Sequence, residues 1–155
     1  MTTDEPLHRT ELTFLLGLAY QLVIGEFLRR VEGYDDLRPM HGFVFQALRG
    51  TGLTSTELAD RLGVTKQAAG QIVDDLEARG YVRREPHPEG GRRRLVVLTH
   101  KAQAHLVAAG QVLHGLEAEL ARRLGGRELA AMRHTLVRLV RDLAGPTLPP
   151  LRPLW

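Results

Sequence analysis

Apolar residues recur at helical spacing through Leu12, Leu15, Ala19, Leu22, Val23 and Phe27, which predicts a long first helix over about residues 9–32. Leu16, Leu18 and Ile24 widen its apolar surface beyond a single stripe, so this helix needs more than one packing partner, as at an intersubunit surface. Gly33 and Asp35-Asp36 end it. Pro39 opens a second helix that runs to about Arg49, and Gly50 and Gly52 then break the chain.

The next stretch is closely punctuated. Thr54-Ser55-Thr56-Glu57 matches a capping box ahead of the short apolar stripe Leu58, Ala59, Leu62. Gly63 supplies a turn. Thr65 caps another helix to about Arg79, with Ala69, Ile72, Val73 and Leu76 facing inward and Gly80 at its left-handed end. Two short helices joined by a glycine turn form a helix-turn-helix pattern. Tyr81–Arg84 and Arg94–Leu98 then read as short strands around the Pro- and Gly-rich loop 86–91, a hairpin placed where a wing would follow.

Thr99 caps a helix of about 25 residues with Leu106, Ala109, Leu113, Leu116, Leu120 and Leu124 at spacings of three and four. After Gly125-Gly126 a last helix spans about Glu128 to Ala144, with Leu129, Met132, Leu136, Leu139, Val140 and Leu143 on one side. The tail from Thr147 to Trp155 is too rich in proline for helix and is expected to be extended, clasping a partner subunit or disordered. The fold class expected is mainly α with a small β-hairpin wing. Its parts are an N-terminal helical segment (1–36), a winged helix-turn-helix (37–99), two C-terminal helices (100–145) and the tail (146–155).

Composition narrows the chemistry. No cysteine is present, which removes disulfides, thiolate metal sites, thiol catalysis and thiol redox sensing. The single serine, Ser55, lacks a nucleophile-elbow context, and no P-loop, dinucleotide-binding glycine pattern or HExxH motif occurs, so an enzyme is not expected. The net charge of +3 hides a gradient: residues 1–60 carry −4, residues 61–101 carry +4 and residues 102–155 carry +3. The basic middle is where an anionic partner belongs. The N-terminus does not read as a signal peptide. The apolar run Phe14–Ile24 is about half a membrane span, so a cytoplasmic protein without membrane contact is expected.

On the helix after Thr65, the residues Lys66, Gln67, Gly70, Gln71 and Asp74 lie opposite the apolar stripe. Thr65, Lys66 and Gln67 in its first turn suit base edges, since glutamine can pair with adenine and lysine can reach guanine or phosphate. Gly70 inside a helix marks either close approach to DNA or simple tolerance. Ser55 and Thr56 can cap the preceding helix or donate to phosphate. Arg92, Arg93 and Arg94 alternate faces along a strand, which makes Arg92 the candidate for a minor groove, with Arg93 and Arg94 as further DNA or structural contacts.

Glu57-Leu58-Ala59, Leu62-Gly63-Val64-Thr65, Val73-Asp74-Asp75-Leu76-Glu77, Arg79-Gly80-Tyr81-Val82-Arg83 and Arg92-Arg93-Arg94-Leu95-Val96-Val97-Leu98-Thr99 together resemble the MarR family of bacterial winged-helix regulators. The resemblance implies a homodimer on a palindromic double-stranded operator, acting as a repressor released by a small aromatic or lipophilic ligand, with no cofactor. It places an effector cleft near Tyr20, His41 and Phe45, although Phe45 suits the core better. Two positions depart from the pattern. Gly90 stands where the family usually has an aspartate bracing a wing arginine, and Asp75 where it often has a basic residue.

Two other readings stay open. The seven histidines invite a zinc-responsive regulator, yet His100, His105 and His114 are not spaced as an i, i+4 pair, and His41 is isolated. A winged helix used only for protein contact would want a less basic reading segment than 61–101.

Overall fold

The computed structural model describes residues 5–31 and 33–151, in two compact units divided after Gly33. The first unit holds a short helix α1 (Glu5–His8) and the helix α2 (Leu12–Arg30). The helix expected over about residues 9–32 forms as α2, a little shorter at both ends, and α1 precedes it across a turn in which the Thr10 amide donates to the Leu7 carbonyl. No residue of α2 is buried; Leu12, Phe14, Leu22 and Tyr20 are all exposed. Taken over its full 19 residues, α2 is long and apolar enough by length and composition to cross a bilayer, more than the run Phe14–Ile24 suggests.

The second unit follows the order α3 (Pro39–Ala47), α4 (Ser55–Leu62), α5 (Lys66–Ala78), β1 (Val82–Pro86), β2 (Arg94–Leu98), α6 (His100–Leu124) and α7 (Gly126–Ala144). The capping box forms as its residues dictate: the Glu57 amide donates to Thr54 Oγ1, and the Thr54 amide donates to the Glu57 carboxylate at 2.7 Å. Thr65 Oγ1 caps α5 by accepting from the Ala68 amide. At the far end the Tyr81 amide donates to the Leu76 carbonyl and the Gly80 amide to the Glu77 carbonyl, with Gly80 at φ +77°. That is a complete Schellman stop, and it turns the chain directly into the hairpin.

β1 and β2 pair antiparallel, Val82 opposite Leu98 and Arg84 opposite Val96. Leu53 adds a third rung by exchanging both backbone hydrogen bonds with Val96. Gly52 makes this approach feasible, because a Cβ there would stand 2.6 Å from the Val96 carbonyl oxygen. The core gathers Val44, Phe45 and Leu48 of α3, Leu58 and Leu62 of α4, Val73 and Leu76 of α5, Tyr81, Val82 and Val96 of the hairpin, and Ala102 of α6. Ile72, expected inward, is half-buried at its margin.

Thr99 does more than cap α6. Its hydroxyl donates toward the carbonyls of Gly80 (2.6 Å) and Tyr81 (3.1 Å), so the start of the long helix is pinned to the end of α5. Farther along, cover runs out. Ala109 and Leu116 are buried but Leu113 and Leu124 are exposed, and α7 has no buried residue at all. Beyond Gly145 the described tail, through Leu151, is neither helix nor strand, as expected. Leu148 and Pro150 face Leu53, Glu57, Asp60 and Arg61 across an open cleft of about 530 Å³. The expected clasp rests largely on Trp155, which lies outside the described residues.

Candidate nucleic-acid interface

Helix α5 presents two faces with different tasks. Ala69, Val73 and Leu76 are fully buried, while Lys66, Gln67 and Gln71 are exposed and make no side-chain hydrogen bond or ion pair among the described residues. Thr65 and Thr56 are exposed, and Ser55, at the first position of α4, is half-buried. A Cβ added at Gly70 would meet nothing within 4 Å, so no intramolecular contact demands a glycine there.

The three wing arginines separate by partner. Arg93 Nη2 donates to the Glu89 carboxylate at 2.8 Å, and Arg94 Nη2 donates to the Arg84 carbonyl at 3.2 Å. Arg92 alone of the three is exposed with no partner among the described residues. Glu89 thus braces Arg93 and not Arg92, the minor-groove candidate. The loop tip is further ordered by the Gly90 amide bonding the His87 carbonyl and the Glu89 amide bonding His87 Nδ1. Gly90 and Gly91 both adopt positive φ, +78° and +81°, so the sharp reversal needs these residue types.

The acidic residues of α5 are neutralised from within the chain. Asp75 pairs with Arg79 at 2.9 Å and lies 3.7 Å from His41 Nε2, so its charge is directed toward α3 and weakens the positive field less than its place in the sequence suggests. Arg84 bridges Asp74, at 2.6 Å, and Glu77. Sequence reasoning did not foresee this bridge, because its members lie ten and seven residues apart across a turn.

A polar and aromatic cluster underlies this surface. His41 is buried, and its Nδ1 accepts from the Arg38 amide, leaving the proton on Nε2 toward Asp75. Burial pushes its pKa below the ordinary histidine range, with Asp75 opposing. His105 is likewise lowered by burial; its Nδ1 has no hydrogen-bond partner among the described residues, and its ring meets Tyr34 edge-on at 4.3 Å and Phe45 at 5.5 Å. The Tyr81 hydroxyl donates to Asp36 at 3.0 Å, and burial together with that carboxylate pushes its pKa up to about 12. Of the residues expected to line an effector cleft, Phe45 is wholly buried in the core, His41 is buried beside it, and Tyr20 belongs to the N-terminal unit. Among the described residues no group of three histidine or carboxylate side chains could hold a metal ion.

The model of the MarR family matches residues 35–93, the span from the loop before α3 to the wing. The transcriptional regulator HosA of Escherichia coli O111:H- is 30% identical over 94 residues, which are 61% of this chain and 70% of HosA. The chain belongs to the MarR family. Among solved structures, the repressor CouR bound to a 23-mer DNA duplex superposes with a TM-score of 0.70 at 27% identity, covering 91% of this chain and 99% of CouR. Wild-type MarR of E. coli in its apo form gives 0.69 at 25% identity, covering 84% of this chain and 98% of that one. The winged-helix fold class is thereby established. The protein is a MarR-family transcriptional regulator, and this family consists of regulators and not enzymes.

Proposed function

We propose that the chain acts as a homodimer on a palindromic double-stranded operator, with α5 in the major groove and Arg92 in the adjacent minor groove. The observation that carries this reading is the sorting of charge. Each carboxylate of α5 is held by an intramolecular cation, while Lys66, Gln67, Gln71 and Arg92 are left exposed without partners among the described residues. Free donors on the reading face and on the wing are what base edges and narrow grooves recognise. Gly70 allows close backbone approach, Ser55 and Thr56 donate to phosphate, Thr65 joins Lys66 and Gln67 at the base edges, and Arg93 and Arg94 shape the wing while lending positive potential.

Dimerisation follows from the uncovered apolar faces. Leu22 of α2 and Met132, Val140 and Leu143 of α7 are exposed in the single chain, and a second copy is the natural cover for both helices. The apolar character of α2 then belongs to a subunit interface in a cytoplasmic protein. CouR and MarR are named repressors, which supports repression here, with release by a small aromatic or lipophilic acid that alters the spacing of the two reading heads.

Footprinting of genomic fragments by the full-length protein tests the reading. Two protected half-sites about one helical turn apart are expected, with affinity falling steeply as salt rises. Duplex binding that ignores salt, or protection of a single half-site by a monomer, would overturn it. A screen of aromatic acids for loss of the protected footprint tests the release step.

A further inference from the structure

We infer that Arg84 is the positioning residue that holds the wing in register with the reading helix, a role resting on the DNA-binding reading above. Residues 67, 70, 71 and 74 share one face of α5, so Asp74 continues the DNA-facing row by one turn. A bare carboxylate there would oppose the phosphates. Arg84 Nη2 meets Asp74 at 2.6 Å, Nη1 meets Glu77, and the Arg84 amide donates to Glu77 at 3.2 Å. Two carboxylates at i and i+3 are spanned by one planar guanidinium, a geometry that lysine cannot reproduce.

The same residue organises the wing through its backbone. Its carbonyl accepts from Arg94, and it stands opposite Val96, the buried residue through which Leu53 joins the sheet. One residue therefore connects the reading helix, the hairpin and the third rung. With both arms of its guanidinium occupied by carboxylates, Arg84 acts on DNA through Arg92, whose reach depends on the angle between β1 and α5.

The test uses full-length wild type, Arg84→Gln, Arg92→Ala and the double variant. Each is titrated with the duplex footprinted by the wild type and with an unrelated duplex of equal length, across a salt series. Arg84→Gln is expected to weaken operator binding about tenfold, and about threefold or less once Arg92 is absent, because coupled residues are not additive. The slope of affinity against salt is expected to fall in Arg84→Gln by no more than it does in Arg92→Ala, since Arg84 itself touches no phosphate. Unchanged operator affinity, additive losses, or a slope that falls further in Arg84→Gln than in Arg92→Ala would each overturn the role.

Amide exchange of residues 87–93 in the DNA-free protein supplies an arm independent of DNA. Faster exchange in Arg84→Gln, with α4 unaltered, supports the clamp, and equal exchange overturns it even for a chain that binds no duplex. A wild type without duplex affinity but with the exchange effect would instead sink the DNA reading alone. Should Arg84→Gln fail to fold, Arg84→Lys keeps the charge without the fork. Its operator affinity is then expected to fall several-fold with the fold intact, and wild-type affinity would overturn the role.

Discussion

The winged helix-turn-helix head and the flanking helices both carry many apolar residues, to opposite effect. Between α3 and β2, Phe45, Leu58, Leu62, Val73, Leu76 and Val96 close on one another until almost none of their surface meets water. In α2 and α7 comparable leucines and valines stay exposed along entire helices. Short elements joined by capped turns fold back on their own chain, whereas long uninterrupted helices carry apolar surface beyond the reach of their own sequence. The first arrangement yields a module with its own core; the second leaves apolar faces that the proposed dimer would cover.

Substitutions that separate the two regions test the contrast. Phe45→Ala should cost the head about 3–5 kcal/mol, seen as a fall in melting temperature that does not change with protein concentration. A loss that disappears at high concentration would place Phe45 at a subunit interface instead. Leu143→Glu should leave the head folded but weaken dimerisation by about 2–4 kcal/mol, read by sedimentation equilibrium. Since Leu143 is 77% exposed in the single chain, an unchanged dimer would show that α7 is not the seam.

Within the head the faces of α5 divide similarly. Gly70→Ala should raise stability by about 1 kcal/mol, because alanine favours helix and its methyl group has open space, while lowering operator affinity. A variant that is both more stable and equally tight in binding would remove backbone approach at Gly70 from the interface.

The smallest effect concerns protons. Burial holds His41 and His105 neutral in the folded head, so the unfolded chain binds more protons as the medium turns acidic. The stability they contribute is present above the ordinary histidine pKa and is lost as pH falls through their lowered folded values. A melting temperature that drops between about pH 7 and pH 5, and drops less in His105→Phe, is expected. Identical profiles for the two proteins would show that the proton uptake lies elsewhere.

Much of the head was legible because its punctuation is local. Thr54, Glu57, Gly63, Thr65 and Gly80 act through bonds to residues within five positions, and each of these caps forms. The wing strands followed from their flanking loop. What resisted reading depends on contacts between distant segments: Leu53 joining Val96, Thr99 pinned to Gly80, and Arg84 spanning Asp74 and Glu77. The Arg92-Arg93-Arg94 run shows the boundary clearly. Alternation along a strand was expected to distinguish Arg92, but β2 begins only at Arg94 and Arg92 lies in the turn; it is the positions of Glu89 and the Arg84 carbonyl that engage its two neighbours and leave it apart.

The sequence by itself determined the order of elements, the capped turns and the family, since periodicity and capping are properties of neighbouring residues. The tertiary structure decided which charges remain free. An ion pair forms wherever folding brings opposite charges within about 4 Å, whatever their separation along the chain. Among the described residues of the basic middle segment, Arg79, Arg83, Arg84 and Arg93 are tied to carboxylates, which leaves Arg61, Lys66, Arg92, Arg94 and Lys101 without one.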